Sequence, residues 1–372
     1  MSNIKEKDAK NSFGTKVLHG NLLYTLISII VGFLVGAILL QIAGISAGEA
    51  YAKLITGVFG KPKFIVWSIV YATPIILTGL SVAFSFRTGV FNIGAEGQYV
   101  VGSLAACVVG IFVKAPAIIH VPLCLIVAAA AGGLWSMVVA LLKVKRGINE
   151  VLSFIMFNWI AFYLSNYVVN IPAVHTDGSG EATKDILDSA KMMVTNESLT
   201  KVMGSGASYN ILVAVLAAAV IAFILNRTTL GYKLKAVGFN RHAAEYGGIS
   251  ANKEIMTAMS ISGALAGMGG ACQLMGMGIR VSQFAGQEGF GFQGITVALI
   301  GSTNPIGCIF AGLFYGAMKY GGTKLSLVNA PAEIVNIIMG TIIFFIAISH
   351  VFKRIILGYA GRKSTKSEGG TK

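Results

Sequence analysis

The 372-residue chain is 55% hydrophobic and only 12% charged, with 46 glycines, whereas a soluble domain carries about 25% charge. A mean hydropathy of +0.75 across the whole length leaves no large soluble half and excludes a set of cytosolic domains. The net charge of +14, from 29 Lys and Arg against 15 Asp and Glu, would suggest nucleic acid in a soluble protein; in a membrane protein it reflects basic cytoplasmic loops.

Residues 1–21 are polar and mixed in charge, and read as a cytoplasmic N-terminal tail. Leu22 to Ala43 is roughly 20 apolar residues, enough to span about 30 Å and too many for a signal-peptide core. Further apolar runs lie at 64–86, 90–113, 117–142, 151–171, 209–226, 256–277, 293–303, 306–320 and 333–352. They predict an all-α membrane protein of about ten transmembrane helices. The transmembrane domain is 22–352, with a 172–208 outer loop and a 227–255 inner loop, followed by a basic cytoplasmic tail at 353–372.

The run from Gly294 to Tyr320 is interrupted by Ser302-Thr303-Asn304-Pro305-Ile306-Gly307. Proline removes a backbone donor and disfavours helix in the residue before it. One kinked helix is compatible with this, but two half-length helices fit the central Asn-Pro and Gly better, and irregular backbone at membrane depth needs protein or a water-filled cavity around it. An even number of crossings puts both termini on one side. With that side inside, the inner segments collect Arg87, Lys143, Lys145, Arg146, Arg227, Lys233, Lys235, Arg241, Lys253 and the basic residues of both tails. The outer loop instead carries Asp177, Glu181, Asp185, Asp188 and Glu197. This bias predicts cytoplasmic N- and C-termini and removes the need for a nucleic-acid partner.

Glycines spaced by four, at Gly32 and Gly36, Gly263 and Gly267, and Gly312 and Gly316, predict close helix–helix approach. The four cysteines lie within apolar runs without any CxxC, which argues against disulfides and zinc. No cofactor or metal is expected.

Three stretches can carry function. In Phe91-Asn92-Ile93-Gly94-Ala95-Glu96-Gly97-Gln98 a carboxylate and two amides lie about ten residues past Arg87. That places Glu96 roughly 10 Å into the membrane, where an acidic group costs on the order of 3 kcal/mol and usually faces a cavity or a partner. Asn92, Glu96 and Gln98 are candidate pathway or hinge residues; the alternative is a helix break whose glutamate bonds backbone groups. In Gly147-Ile148-Asn149-Glu150-Val151, Asn149 and Glu150 suit a helix start. Asn158, two turns further on, needs a partner and joins the pathway candidates. Between Gly231 and Ile249, Asn240 can cap a short helix through Ala243 and Ala244 that stops at Gly247-Gly248. A short, small-faced helix with basic flanks suits docking into a cytosolic partner.

Two motif matches are discounted. Gly289-Phe290-Gly291-Phe292-Gln293-Gly294 fits G-x-G-x-x-G but follows no strand. Gly44-Ile45-Ser46-Ala47-Gly48 fits G-x-S-x-G without a strand–turn–helix, and the five histidines cluster nowhere, which speaks against an intramembrane protease. There is no G-x-x-x-x-G-K-[ST], so an ATPase that powers transport belongs to another chain.

FNIGAEGQ (91–98), GINEVLSFIMFNWIA (147–161), LGYKLKAVGFNRHAAEYGGI (230–249) and GFGFQGITVALIGSTNPIG (289–307) resemble the permease subunits of nucleoside ABC importers, which group with the ribose and branched-chain amino-acid permeases. The resemblance runs from about residue 60 to 350. It implies a type II importer fold, a second and paralogous permease, two cytosolic ABC ATPase subunits, and an extracellular lipoprotein that delivers the nucleoside across a bacterial plasma membrane. Gly238, Asn240, Ala243, Ala244 and Gly248 match the family's ATPase-contacting loop, with Gly231, Ala236, Arg241, Gly247 and Ile249 completing that coupling segment. The chain itself would be a transport subunit and not an enzyme. The competing expectations are an ABC permease for a sugar such as ribose or for branched-chain amino acids, and an ion-coupled secondary transporter, for which Glu96 is almost the sole intramembrane carboxylate in view.

Overall fold

The computed structural model describes residues 21–348 apart from 179, 195, 205 and 332. The two expected tails and the end of the 333–352 run lie outside the described residues. In chain order the helices are α1 (Asn21–Ile42), α2 (Ala47–Phe59), α3 (Pro62–Phe86), α4 (Ala95–Phe112), α5 (Ala117–Arg146), α6 (Glu150–Val169), α7 (Glu197–Met203) and α8 (Asn210–Arg227). They continue as α9 (Thr229–Phe239), α10 (Arg241–Tyr246), α11 (Ala251–Gln273), α12 (Phe290–Ile300), α13 (Pro305–Gly322) and α14 (Ile334–Ala347). Among the described residues seven helices, α1, α3, α4, α5, α6, α8 and α11, are long and apolar enough to cross a membrane. Each runs through a segment with no competing polar pattern, and lipid leaves the backbone of a spanning segment no partner but its own helix.

The chain divides into two units, residues 21–52 with 325–348, and residues 53–324. In the first, α1 lies against α14: Gly32 and Gly36 face Ile338 and Ile342. The Tyr51 hydroxyl donates to the Phe33 carbonyl at 2.5 Å. The second unit holds the rest. Its axis is α11, packed against α3, α4 and α5, and α3 is buried without a break from Ala72 to Ser85. Gly263 and Gly267 of α11 meet the backbone of Gly132 on α5, so the two helices approach at a distance no larger side chain permits. Outer faces remain apolar and exposed, with Leu152, Met156, Trp159, Tyr163 and Tyr167 on α6 and Leu212, Leu216 and Phe223 on α8. Faces of that kind are at home in lipid and not in water.

Three stretches need more than apolar-run counting. Residues 47–59, which no apolar run covers, form α2. The 172–208 loop is ordered packing, with a 3-10 turn at Asp188–Ala190, helix α7 and three isolated β-bridges. The Ser302–Gly307 interruption separates two helices, α12 and α13. Ser302 and Thr303 take left-handed backbone, Asn304 caps α13 by accepting from the Ile306 and Gly307 amides, and the Arg87 Nε donates to the Thr303 carbonyl at 3.2 Å. The turn therefore sits at the end of the bundle that carries Arg87, hereafter the basic end, and α13 is a full 18-residue helix. Only α12 is short. Its irregular partner is the preceding segment, residues 279–289, which no apolar-run count marks.

Candidate functional site

The 279–289 segment is irregular between the end of α11 and the start of α12, so its backbone groups need partners outside a helix. They have them. Below the α11 helix the chain turns through a single π-helical stretch, Leu274–Gly278, and Ile279 adopts φ 53°, a left-handed geometry costly for a β-branched residue. The 172–208 loop then pairs along it. The Ile186 amide donates to the Ile279 carbonyl at 2.9 Å, the Thr183 amide to the Val281 carbonyl at 2.9 Å, and the Gln283 amide to the Glu181 carbonyl at 2.8 Å. The Val281 amide donates to Thr183 Oγ1 at 3.1 Å. Asn166 of α6 closes both sides of Phe284, accepting its amide at 2.8 Å and donating to its carbonyl at 2.9 Å.

The far end of the segment is held by Glu96. Its two carboxylate oxygens accept from the amides of Gly289 at 2.7 Å and Gly291 at 2.6 Å. These are orphan donors of α12's first turn, and α12 has no cap of its own, so a side chain from α4 caps it in trans. Glu96 itself lies in the first turn of α4, where the dipole also favours its charge. The glycine pattern discounted as a nucleotide fingerprint has a local reason here. Gly289 sits at φ 82°, and a side chain at Gly291 would run into the Glu96 backbone. Thr78 of α3 donates to the Phe290 carbonyl at 3.0 Å. Thr78 lies eight residues before Phe86, roughly 12 Å from the helix end at 1.5 Å per residue, so α12 begins deep in the bundle.

Asn92 and Gln98 exchange reciprocal amide hydrogen bonds of 2.8 and 3.0 Å, and Asn92 also donates to Ser262 Oγ at 2.7 Å. Asn158 accepts from the Gly97 amide at 2.8 Å and donates to the Ile93 carbonyl at 3.1 Å. All four sequence candidates, Asn92, Glu96, Gln98 and Asn158, are buried and brought together. They tie α3, α4, α6, α11 and α12 to one loop, with none of them on the cavity wall described next. Asn149 caps α6 through the Val151 and Leu152 amides, and Glu150 pairs with Lys143 at 2.5 Å.

A cavity of about 360 Å³ lies between α4, the π-helical stretch and the extended segment. Its wall includes Tyr99, Ser103, Gln273, Phe284 and Glu288. Gln273 Oε1 is buried without a hydrogen-bond partner among the described residues. Beside the cavity, Phe290 stacks on Tyr99 with centroids 5.3 Å apart. Lys319 of α13 lies 3.6 Å above the Phe290 ring and donates to Gln293 Oε1 at 3.0 Å, within electrostatic reach of Glu288 and Glu96. The bundle therefore holds more charge than Glu96 alone. Gln273, Phe284, Glu288 and Lys319 were missed: Lys319 ends an apolar run and reads as an interfacial anchor, while Glu288 reads as loop. The Gly276 and Gly278 pair at the end of the 256–277 run was the usable signal.

At the basic end the short helix expected after Asn240 is α10, and α9 precedes it. Asn240 Oδ1 accepts the Ala243 amide at 3.0 Å, and α10 stops at Gly247. Ala244 is buried, packing inward with Val237 and Ile255, and Gly231 and Gly238 press on the backbones of Leu225 and Arg87. Ala236 packs on the same cluster and so does Ile249. Arg241 pairs with Glu245 at 3.2 Å and Asn252 at 2.8 Å. The outward face is Phe239, His242, Ala243, Tyr246, Gly247 and Gly248, with Phe239 and Tyr246 almost fully exposed.

Seven helices long and apolar enough to cross a membrane among the described residues, with apolar exposed faces and a polar cavity, fit a multi-pass membrane permease. The chain belongs to the family described as branched-chain amino acid transport system / permease component, whose profile matches residues 64–347. It is 41% identical over 346 residues to the guanosine ABC transporter permease protein NupP of Bacillus subtilis (strain 168), covering 92% of this chain and 97% of that one. It is 33% identical over 336 residues to the nucleoside ABC transporter permease protein NupB of Lactococcus lactis subsp. cremoris (strain MG1363), covering 89% and 92%. It is 29% identical over 358 residues to the glucose ABC transporter permease protein TsgB13 of Haloferax volcanii, covering 94% and 90%. No solved structure matches. This is a transport subunit, not an enzyme.

Proposed function

We propose that this chain is the membrane-spanning permease of an ATP-driven importer of nucleosides. The observation that carries the reading is the near full-length similarity to permeases named for guanosine and nucleosides. Nucleosides are neutral, with a polar ribose and an aromatic base, and a cavity walled by aromatic rings, amides and hydroxyls with one carboxylate and one guanidinium, Glu288 and Arg280, offers them donors and acceptors. Ten membrane segments, α2, α7, α9 and α10 apart, with cytoplasmic N- and C-termini, give the arrangement the positive-inside rule favours. The membrane is the bacterial plasma membrane. Two ATPase subunits dock on the outward face of α9 and α10, a paralogous permease completes the translocation unit, and an extracellular lipoprotein delivers the substrate. ATP binding closes the ATPase pair and moves α10, and the α9–α11 packing passes that motion to the bundle.

The similarity to a glucose permease favours a sugar importer of the same architecture as the second reading. Uptake of labelled guanosine, ribose, glucose and leucine by cells with and without this chain separates them. The nucleoside reading expects loss of guanosine uptake alone on deletion. Loss of sugar or leucine uptake with guanosine uptake intact contradicts it.

A further inference from the structure

We infer that the cavity between α4, the π-helical stretch and the 279–289 segment is a substrate-binding site within the permease itself, which recognises a nucleoside through Gln273, Glu288 and Phe284. The inference rests on the nucleoside reading and extends it from the identity of the cargo to the residues that select it.

Four observations meet there. The volume, about 360 Å³, lies in the range of roughly 300–1,000 Å³ that small-molecule sites occupy. Gln273 presents a buried acceptor, Oε1, with no partner among the described residues. An unpaired buried acceptor costs free energy in a packed protein, and a solute donor relieves that cost. The wall is also built with strain that packing alone does not need. A π-helical stretch inserts into the end of α11, a feature that recurs at functional sites, and Ile279 follows it at φ 53°. Finally, the segment carrying Phe284 and Glu288 is fixed from both sides, by Asn166 on the Phe284 backbone and by Glu96 on Gly289 and Gly291. A ring and a carboxylate held this way are positioned in advance of binding.

The chemistry selects the ligand class. The wall carries acceptors, Gln273 Oε1 and the Glu288 carboxylate, together with donors, the Arg280 guanidinium and the Tyr99 hydroxyl, so it suits a neutral solute that brings both kinds of group. A nucleoside brings the ribose diol and the N–H groups of the base, and its flat base offers Phe284 a stacking partner. A sugar supplies hydroxyl groups yet has no flat face to lay on Phe284, whose ring already stacks on Phe162 with centroids 6.5 Å apart.

The test is initial-rate uptake of tritiated guanosine by cells carrying the complete transporter with Gln273→Leu, Glu288→Gln or Phe284→Leu, at matched membrane levels of the permease. Each substitution raises KM for guanosine, about 3- to 30-fold for the two polar ones, with the maximal rate little changed. Glu288→Gln also alters the preference between guanosine and uridine, a readout that a merely structural residue does not move. Ser103→Ala, which removes one wall hydroxyl with minimal change in packing, carries the test if Gln273→Leu fails to reach the membrane. Wild-type KM and preference in all variants, while the wild type still imports guanosine, overturn the site and leave the nucleoside reading standing. A wild type that imports ribose and not guanosine, with the variants shifting KM for ribose, overturns the nucleoside reading and retains the cavity as the site of selection.

Discussion

Removing the Glu96 carboxylate tests how α12 is held. Glu96 accepts two α12 amides at 2.7 and 2.6 Å in a buried setting, and hydrogen bonds to a charged acceptor are worth about 1.5–3 kcal/mol each in water-soluble proteins. Measured values inside membranes are smaller, on the order of 1 kcal/mol, and the dipole of α12 adds a few tenths to 1 kcal/mol. Glu96→Ala leaves both donors unpaired and costs about 3 kcal/mol; Glu96→Gln keeps one acceptor and costs about 1.5 kcal/mol. Because 1.4 kcal/mol is tenfold in an equilibrium, the alanine variant exposes the first turn of α12 on the order of 100-fold more often. Hydrogen exchange at the amides of Gly289 and Gly291 in nanodisc-embedded protein reads this directly, with α5 as an internal control. Unchanged exchange there in Glu96→Ala, at unchanged exchange elsewhere, refutes the capping argument.

Other consequences follow from the same geometry. Ala243→Arg, on the outward face of α10, leaves thermal stability near wild type but uncouples nucleoside-stimulated ATP hydrolysis in the purified complex. Ala244→Arg instead forces a charge into a buried position and lowers yield and Tm through misfolding, so the pair separates docking from folding. Lys191 holds the Asp188 carboxyl below its usual range, chiefly by a hydrogen bond. Its contribution is therefore complete above about pH 4 and fades only as pH falls through the lower folded value. The pair is exposed and screened, so Asp188→Asn should track wild type in Tm from pH 5 to 8. Cys107, Cys124, Cys272 and Cys308 are free and buried, so maleimide should label none of them in folded protein and all four after denaturation.

Apolar run length located the helices well, because lipid imposes one rule on every spanning segment. The caps were equally readable: Asn149 and Asn240 bond the amides that their spacing implies. What failed depended on long-range partners. Asn304-Pro305 reads identically at a mid-membrane break and at a helix–helix turn; only Arg87, more than 200 residues earlier, decides between them. Glu96 read either as a pathway or hinge residue, because a lone intramembrane carboxylate usually faces a cavity, or as a glutamate bonded to backbone groups; its partners are the amides of Gly289 and Gly291, which no local pattern pairs with it. The cavity wall was illegible for the same reason. Gln273, Phe284 and Glu288 belong to a helix end and a loop in sequence, and become a wall only because the 172–208 loop and Asn166 hold 279–289 against α4.

The central claim is that this chain is the permease of an ATP-driven nucleoside importer. The most direct measurement is guanosine uptake by energised cells in which a protonophore collapses the proton gradient while cellular ATP is maintained. The account predicts uptake near the untreated rate, dependent on this chain and lost when ATP is depleted. Uptake that stops with the gradient while ATP persists would contradict it.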